Sequence, residues 1–223
     1  MIDWWGPVFD EIYGGTENVG STMIGSEEWL RKPGSVGRGF HCTIHICGED
    51  GGELSIGETG TIWFEGASTF RYLGDPEKTR GTFHPQQPGW ATFGDIGRLD
   101  DDGYLFLSDR KAFMIICGGV NIYPQEVEDL LALHPAVADV AVFGVPDPDM
   151  GEQVKAVVAP ADWNKAGPQL EAELIAYCKS RLATLKCPKS VSFERELPRD
   201  DAGKLVKQAV RDRYCGDSMA FGK

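Results

Sequence analysis

An α+β chain in two parts is the fold class that the sequence predicts, on three observations. From Gly34 to about Leu107, short alternating apolar runs are cut by glycine-rich turns, the texture of a β-rich segment. After Arg110 the pattern changes to strands interleaved with helical periodicities. Between the two lies a short polar joint, "DRK" at 109–111.

In chain order, Val8 to Tyr13 reads as a short strand that ends in the glycine turn "YGGTE" at 13–17. "TIHIC" (43–47), "TIWFEG" (61–66) and "YLFLSD" (104–109) are the clearest strands, and "GEDGGE" and "DDDG" are hairpin-type turns. "GSVGRG" at 34–39 reads as a turn. A small barrel or sandwich is the natural arrangement for this part. Beyond the joint, "FMIICGG" reads as a strand ending in a double glycine. "YPQEVEDLLALHP" then reads as a helix. Pro124 suits its first turn, Gln125, Glu126 and Glu128 suit its positive end, and Val127, Leu130, Leu131 and His134 share a face. "AVADVAVFGV" and "QVKAVVAP" are two strands joined by "PDPDMGE". A helix follows with Leu170, Leu174, Tyr177, Cys178 and Leu182 along one stripe, then the strand "SVSFE", a polar glycine loop and a final helix.

Composition narrows the function. The 223 residues carry 22 Lys+Arg against 34 Asp+Glu, a formal charge of -12. That balance argues against a nucleic-acid binder, which needs a basic face, and against attraction to anionic membranes. The N-terminus has neither the basic nor the apolar region of a signal peptide, and no apolar run is long enough to span a bilayer. The cytoplasm is the expected compartment. The six cysteines then read as reduced and mostly buried. "HCTIHIC" brings His41, Cys42, His45 and Cys47 close in sequence, but on a strand Cys42 faces away from the other three, so a four-ligand zinc site is not expected.

Four polar clusters fall on expected loops: "YGGTE" (13–17), "FGD" (93–95), "DRK" with "CGGVN" (109–121), and "AGK" (202–204). Each alone is weak, whereas their order and spacing together are specific. With "FGDIGRLDDDGYLFLSDR", "IICGGVNIYPQEVE" and "LPRDDAGKLVK" between and after them, the chain resembles the AMP-forming acyl-CoA synthetases of the adenylate-forming superfamily, from Val8 to Tyr214. The fatty-acyl and aryl-acyl branches are the most similar. Peptide-synthetase adenylation domains and luciferases rank below them.

The resemblance implies a chemistry of two steps. A carboxylic acid attacks the α-phosphate of ATP to give acyl-AMP and pyrophosphate, and coenzyme A then displaces AMP. It assigns Lys204 as the catalytic lysine bridging carboxylate and α-phosphate. It assigns Tyr13, Gly14, Gly15, Thr16, Asp95 and Arg110 to the nucleotide and Glu17 to Mg²⁺. The residue types suit these roles, with a flat ring for adenine, glycines for close approach, a carboxylate for ribose hydroxyls and a hard oxygen for the metal. Gly118 and Gly119 would guide the pantetheine, with Lys186 on the coenzyme A nucleotide. Residues 1–108 would be the end of the large AMP-binding domain, 109–112 a hinge containing Lys111 and Ala112, and 113–223 the small mobile domain.

Two departures stand out. Ala112 and Phe113 occupy places where the family carries polar hinge residues. No Ser/Thr/Gly-rich phosphate loop ending in lysine precedes "YGGTE", and most of an acyl pocket is absent too. The resemblance therefore implies an isolated chain without adenylating activity of its own: a fragment, a truncated product or one half of a split enzyme. The alternative is a non-catalytic module that keeps a nucleotide- or coenzyme A-binding face.

Overall fold

The structure, a computed structural model, describes residues 1–66 and 70–215. The chain divides into two compact units, Met1–Ala112 and Phe113 onward. Residues 216–223, the end of the expected small domain, lie outside the described part.

The first unit is built on eight strands. A short helix α1 (Ile2–Trp5) precedes β1 (Asp10–Gly14) and β2 (Ser21–Gly25), and helix α2 (Ser26–Arg31) leads to β3 (Ser35–Gly39), β4 (Thr43–Cys47) and β5 (Gly60–Glu65). Helix α3 (Pro76–Thr82), β6 (Trp90–Ala91), β7 (Asp95–Leu99) and β8 (Leu105–Arg110) complete it. Pairing runs β1-β2-β3-β8-β7-β5-β4, with β6 on β5. It is an open path, with no pairing between β4 and β1 among the described residues. The core gathers Val19, Ile44, Ile46, Ile62, Phe64, Ala91 and Leu105.

The segment "GSVGRG" is strand β3, not a turn. It bridges β2 and β8. Gly37 has φ +97, and a Cβ there would lie 2.1 Å from the Met23 carbonyl oxygen, so glycine serves a close strand approach rather than a reversal. The zinc ligands considered above are dispersed as well. His41 has φ 57 outside the strand, Cys47 is buried in the apolar interior, and His45 stacks on Trp90 at 3.7 Å. Among the described residues no group of three or more His, Cys, Asp or Glu is arranged to hold a metal, and no helix is long and apolar enough to cross a membrane.

In the second unit, "FMIICGG" is broken rather than continuous: a 3₁₀ turn spans Lys111–Phe113 before β9 (Ile115–Cys117), and the double glycine turns the chain into β10 (Val120–Ile122). Helix α4 (Pro124–Ala132) starts with Pro124 in its first turn and buries Val127, Glu128 and Leu131. The strands β11 (Val137–Asp147) and β12 (Gly151–Pro160) form a long antiparallel hairpin. Helix α5 (Pro168–Lys179) connects β12 to β13 (Ser190–Phe193), which pairs parallel with β12. Helix α6 (Lys207–Cys215) ends the described chain.

The apolar run "VAVFGV" explains the layering. Val140 and Val142 face the core formed with Val127, Leu131, Leu170 and Leu174, while Ala141, Phe143 and Val145 face Leu197 and Val210. Helices α4 and α5 thus cover one face of the hairpin and α6 the other. Fully burying a side chain such as Phe143 contributes about 1.5–3 kcal/mol.

Candidate functional site

In the first unit, the end of β1, the start of β7 and the end of β8 converge on one carboxylate. Asp95 and Arg110 are register partners across β7 and β8, so their side chains share a face. The guanidinium Nε of Arg110 lies 3.3 Å from Asp95 Oδ1. The Tyr13 hydroxyl donates to Asp95 Oδ2 at 2.5 Å. Asp95 is only 9% exposed, yet each carboxylate oxygen retains a lone pair beyond these bonds. Burial, and then the Asp95 charge, push the Tyr13 phenol far above its ordinary value, so it remains a donor. The ring of Tyr13 rests against Phe64 and Phe93, with centroids 6.3 and 6.0 Å away.

Beyond β1 the chain turns through Gly15 to Asn18, whose N–H donates to the Gly15 carbonyl. A Cβ on Gly15 would lie 2.5 Å from Phe93 Cε1, so this glycine is required by the close approach of the ring. Gly14 is paired with Ser21 at the end of the β1–β2 ladder. Thr16 Oγ1 donates to Glu17 Oε2 at 3.4 Å, and the Tyr72 hydroxyl donates to Glu17 Oε1 at 3.0 Å. The Glu17 carboxyl is held below its ordinary value, first by its own backbone N–H and next by Tyr72. It is an anionic, partly exposed oxygen donor of the kind that Mg²⁺ accepts.

Tyr72 is the residue here that sequence reasoning missed, while Phe93 was singled out only as part of "FGD", with no role of its own. Tyr72 lies 55 positions from Glu17 in a stretch with no motif texture. Lys78 stands over its ring at 3.9 Å.

The second unit carries the remaining residues. Gly118 and Gly119 have φ +57 and +79, and the space beside Gly119 is open. Lys186 is ion-paired with Glu126 Oε2 of α4 at 2.6 Å. Lys204 is exposed on a tight turn. Asp200 N–H donates to the Lys204 carbonyl, and the Asp200 carboxylate accepts from the N–H groups of Ala202 and Lys204. Gly203, at φ +79, lets the turn close. Three residues on, the Lys207 ammonium is buried with Glu128, 2.8 Å from Oε1, and fixes the start of α6 to α4. Lys111 and Ala112 lie in the 3₁₀ turn at the end of the first unit. Each unit thus brings together its own set: Tyr13, Asp95 and Arg110 with the Thr16–Glu17 turn in one, the built Lys204 turn and the double glycine, packed on Met150 at Gly118 and open at Gly119, in the other.

The chain is similar to known proteins along most of its length. The AMP-binding enzyme C-terminal domain family matches residues 126–204. The chain is 40% identical over 204 residues to the long-chain-fatty-acid–CoA ligase FadD13 of Mycobacterium tuberculosis, covering 91% of this chain and 39% of that protein. It is 40% identical over 212 residues to a feruloyl-CoA synthase of Amycolatopsis, covering 94% and 42%. The fold superposes on o-succinylbenzoate CoA synthetase (MenE) of Bacillus subtilis in complex with its acyl-adenylate intermediate. There the TM-score is 0.80 at 33% identity, covering 95% of this chain and 42% of that one. The chain therefore spans about two fifths of the length of these relatives. Over that span the chain carries the AMP-binding enzyme C-terminal domain, is similar in sequence to acyl-CoA ligases and matches adenylate-forming enzymes in fold.

Proposed function

We propose that this chain supplies the nucleotide-facing edge and the catalytic-lysine domain of an AMP-forming acyl-CoA ligase. The reaction joins a fatty or aryl carboxylic acid to coenzyme A through an acyl-adenylate, at the expense of ATP. The observation that carries the proposal is the Asp95 carboxylate, buried and oriented by Tyr13 and Arg110 beside the Gly15–Glu17 turn. A carboxylate so fixed accepts from two ribose hydroxyls without reorganising. The Tyr13 and Phe93 rings offer an apolar wall to adenine, Thr16 donates to phosphate, and Glu17 is the donor for Mg²⁺. When bound, that ion neutralises charge on the phosphates. Lys204, a point charge on a fixed turn, bridges the attacking carboxylate and the α-phosphate.

For the thioester step, the second unit turns about Lys111 and Ala112, and the backbone of Gly118 and Gly119, open on the Gly119 side, guides the narrow thiol arm. MenE has been solved with ATP and magnesium, and MatB of Rhodopseudomonas palustris with ATP. Both support the same ligands here.

A second observation favours a further polypeptide surface, of the same protein or of a partner, over this edge. Met1, Trp4, Trp5, Val8 and Ile12 are all more than half exposed, and β1 is an edge strand. Such a surface is what an interface presents. The test is pyrophosphate release by the chain across a panel of fatty and aryl acids, alone and with a polypeptide carrying the remainder of a relative's fold. Lys204-dependent release is expected when that polypeptide is added, and none from the chain alone. Tight AMP or coenzyme A binding with no release in both would establish the non-catalytic module instead.

A further inference from the structure

We propose that Arg199 and Asp139 form a clamp that positions Lys204, a role that rests on reading Lys204 as the adenylation lysine. The Arg199 guanidinium spans two acceptors on opposite sides. One of its terminal nitrogens donates to the Gly203 carbonyl oxygen at 2.8 Å, the peptide that immediately precedes Lys204. The other donates to Asp139 Oδ2 on β11.

The sheet is shaped to allow this. The β11–β12 register shifts between Val137 and Asp139, leaving Ala138 as an extra residue. Such a bulge re-aims the side chain that follows it. Asp139 Oδ1 meanwhile accepts from the Val140 N–H, which fixes the carboxylate on its strand. Arg199 also pairs with Leu205 in an isolated antiparallel bridge, so the backbone closes the turn from both sides of Lys204.

The consequence is specific to a lysine that must meet a phosphate. The Asp200 carboxylate and the Gly203 conformation define the shape of the turn, but both belong to the turn itself. Arg199 and Asp139 tie that shape to the rigid hairpin. A planar guanidinium can reach a carbonyl and a carboxylate at once from a fixed fork, which an ammonium cannot do with the same geometry. The ammonium of Lys204 itself stays exposed for substrate. Arg199 and Asp139 are therefore positioning residues, acting on the reaction through the Lys204 backbone.

The test measures amide hydrogen exchange at Gly203 and Lys204 in the full chain, with Arg199→Met, Asp139→Ala and the double variant. Each single variant is expected to speed exchange at both amides about tenfold, the factor carried by one charge-assisted hydrogen bond. The amides of Val142 to Val145 should be unaffected, and the double variant should be no faster than either single one, because both remove the same link. Where Lys204-dependent pyrophosphate release is measurable, kcat should fall about tenfold with KM for ATP unchanged. Wild-type exchange rates in the variants, or additive effects in the double variant, would overturn the clamp whatever the activity. Accelerated exchange with unchanged kcat would overturn its positioning role. Pyrophosphate release that does not respond to Lys204→Ala would instead deny the adenylation reading, and the exchange data alone would then decide the clamp.

Discussion

Replacing Lys207 by methionine is expected to cost more stability than any other single charge removal in the second unit. Glu128 and Lys207 are 7% and 9% exposed. The ammonium lies 2.8 and 2.9 Å from the two carboxylate oxygens and 5.1 Å from the Phe113 ring centroid. Oε1 of Glu128 also accepts from the Val142 N–H at 2.7 Å. Lys207→Met retains most of the apolar volume but leaves a carboxylate in a weakly polarisable interior without its ammonium. Breaking a buried pair in this way costs about 3–5 kcal/mol, a large share of the ~5–15 kcal/mol that hold a domain together. With a urea slope of about 2 kcal/mol per molar, the midpoint of the second unit falls by about 2 M. Exchange of the β11 and β12 core amides as a function of urea reports that unit separately from the first. The double variant Glu128→Gln, Lys207→Met keeps an acceptor for Val142 with no buried charge, and should recover at least half of the loss. A single-variant loss below about 1 kcal/mol, the range of exposed pairs, would refute the reasoning, as would a double variant no better than the sum of the singles.

Three further outcomes are expected. Gly37→Ala places a Cβ 2.1 Å from a backbone oxygen at φ +97 and should cost more than about 3 kcal/mol, whereas Gly119→Ala, at φ +79 in open space, should cost about 1 kcal/mol, both read as urea midpoints. Because the Tyr13 phenol is raised in the folded state, its stabilising contribution is fully present below the ordinary value near pH 10 and is lost as pH rises beyond it. The stability gap between the wild type and Tyr13→Phe should therefore narrow from about pH 9 to about pH 11, and a gap that widens would contradict the burial argument. Cys47, Cys117, Cys178 and Cys187 are buried, with the Cys178 thiol pushed up to about 11 by that burial, while Cys42 and Cys215 are half-exposed. A thiol reagent should modify Cys42 and Cys215 in the native chain and the other four only on unfolding, as mass spectrometry of the labelled peptides would show.

Much of the second unit was legible because its signals are local. Pro124 and the apolar positions of α4, the alternating run of β11 and the stripe of α5 follow from periodicity alone. The α+β class follows from the change of texture after Arg110. The first unit was harder to read. Its β3 strand is a glycine-rich segment whose glycines serve a neighbouring backbone, and nothing in "GSVGRG" itself records that neighbour. Helices α2 and α3, of six and seven residues, are too short to show a periodicity.

The site divides along the same line. The residue types to which the resemblance assigns the chemistry, and their order, were readable from short contiguous signals, "YGGTE", "FGD", "DRK" and "AGK". Only the tertiary structure decided that Tyr13 and Arg110 converge on Asp95 from 82 and 15 positions away. It alone showed that Tyr72 holds Glu17 across 55 positions, and that a bulge in β11 brings Asp139 to Arg199. The physical reason is range. Turn chemistry and amphipathicity act over a few residues, whereas a hydrogen bond between side chains on separate strands depends on register, which the whole sheet sets.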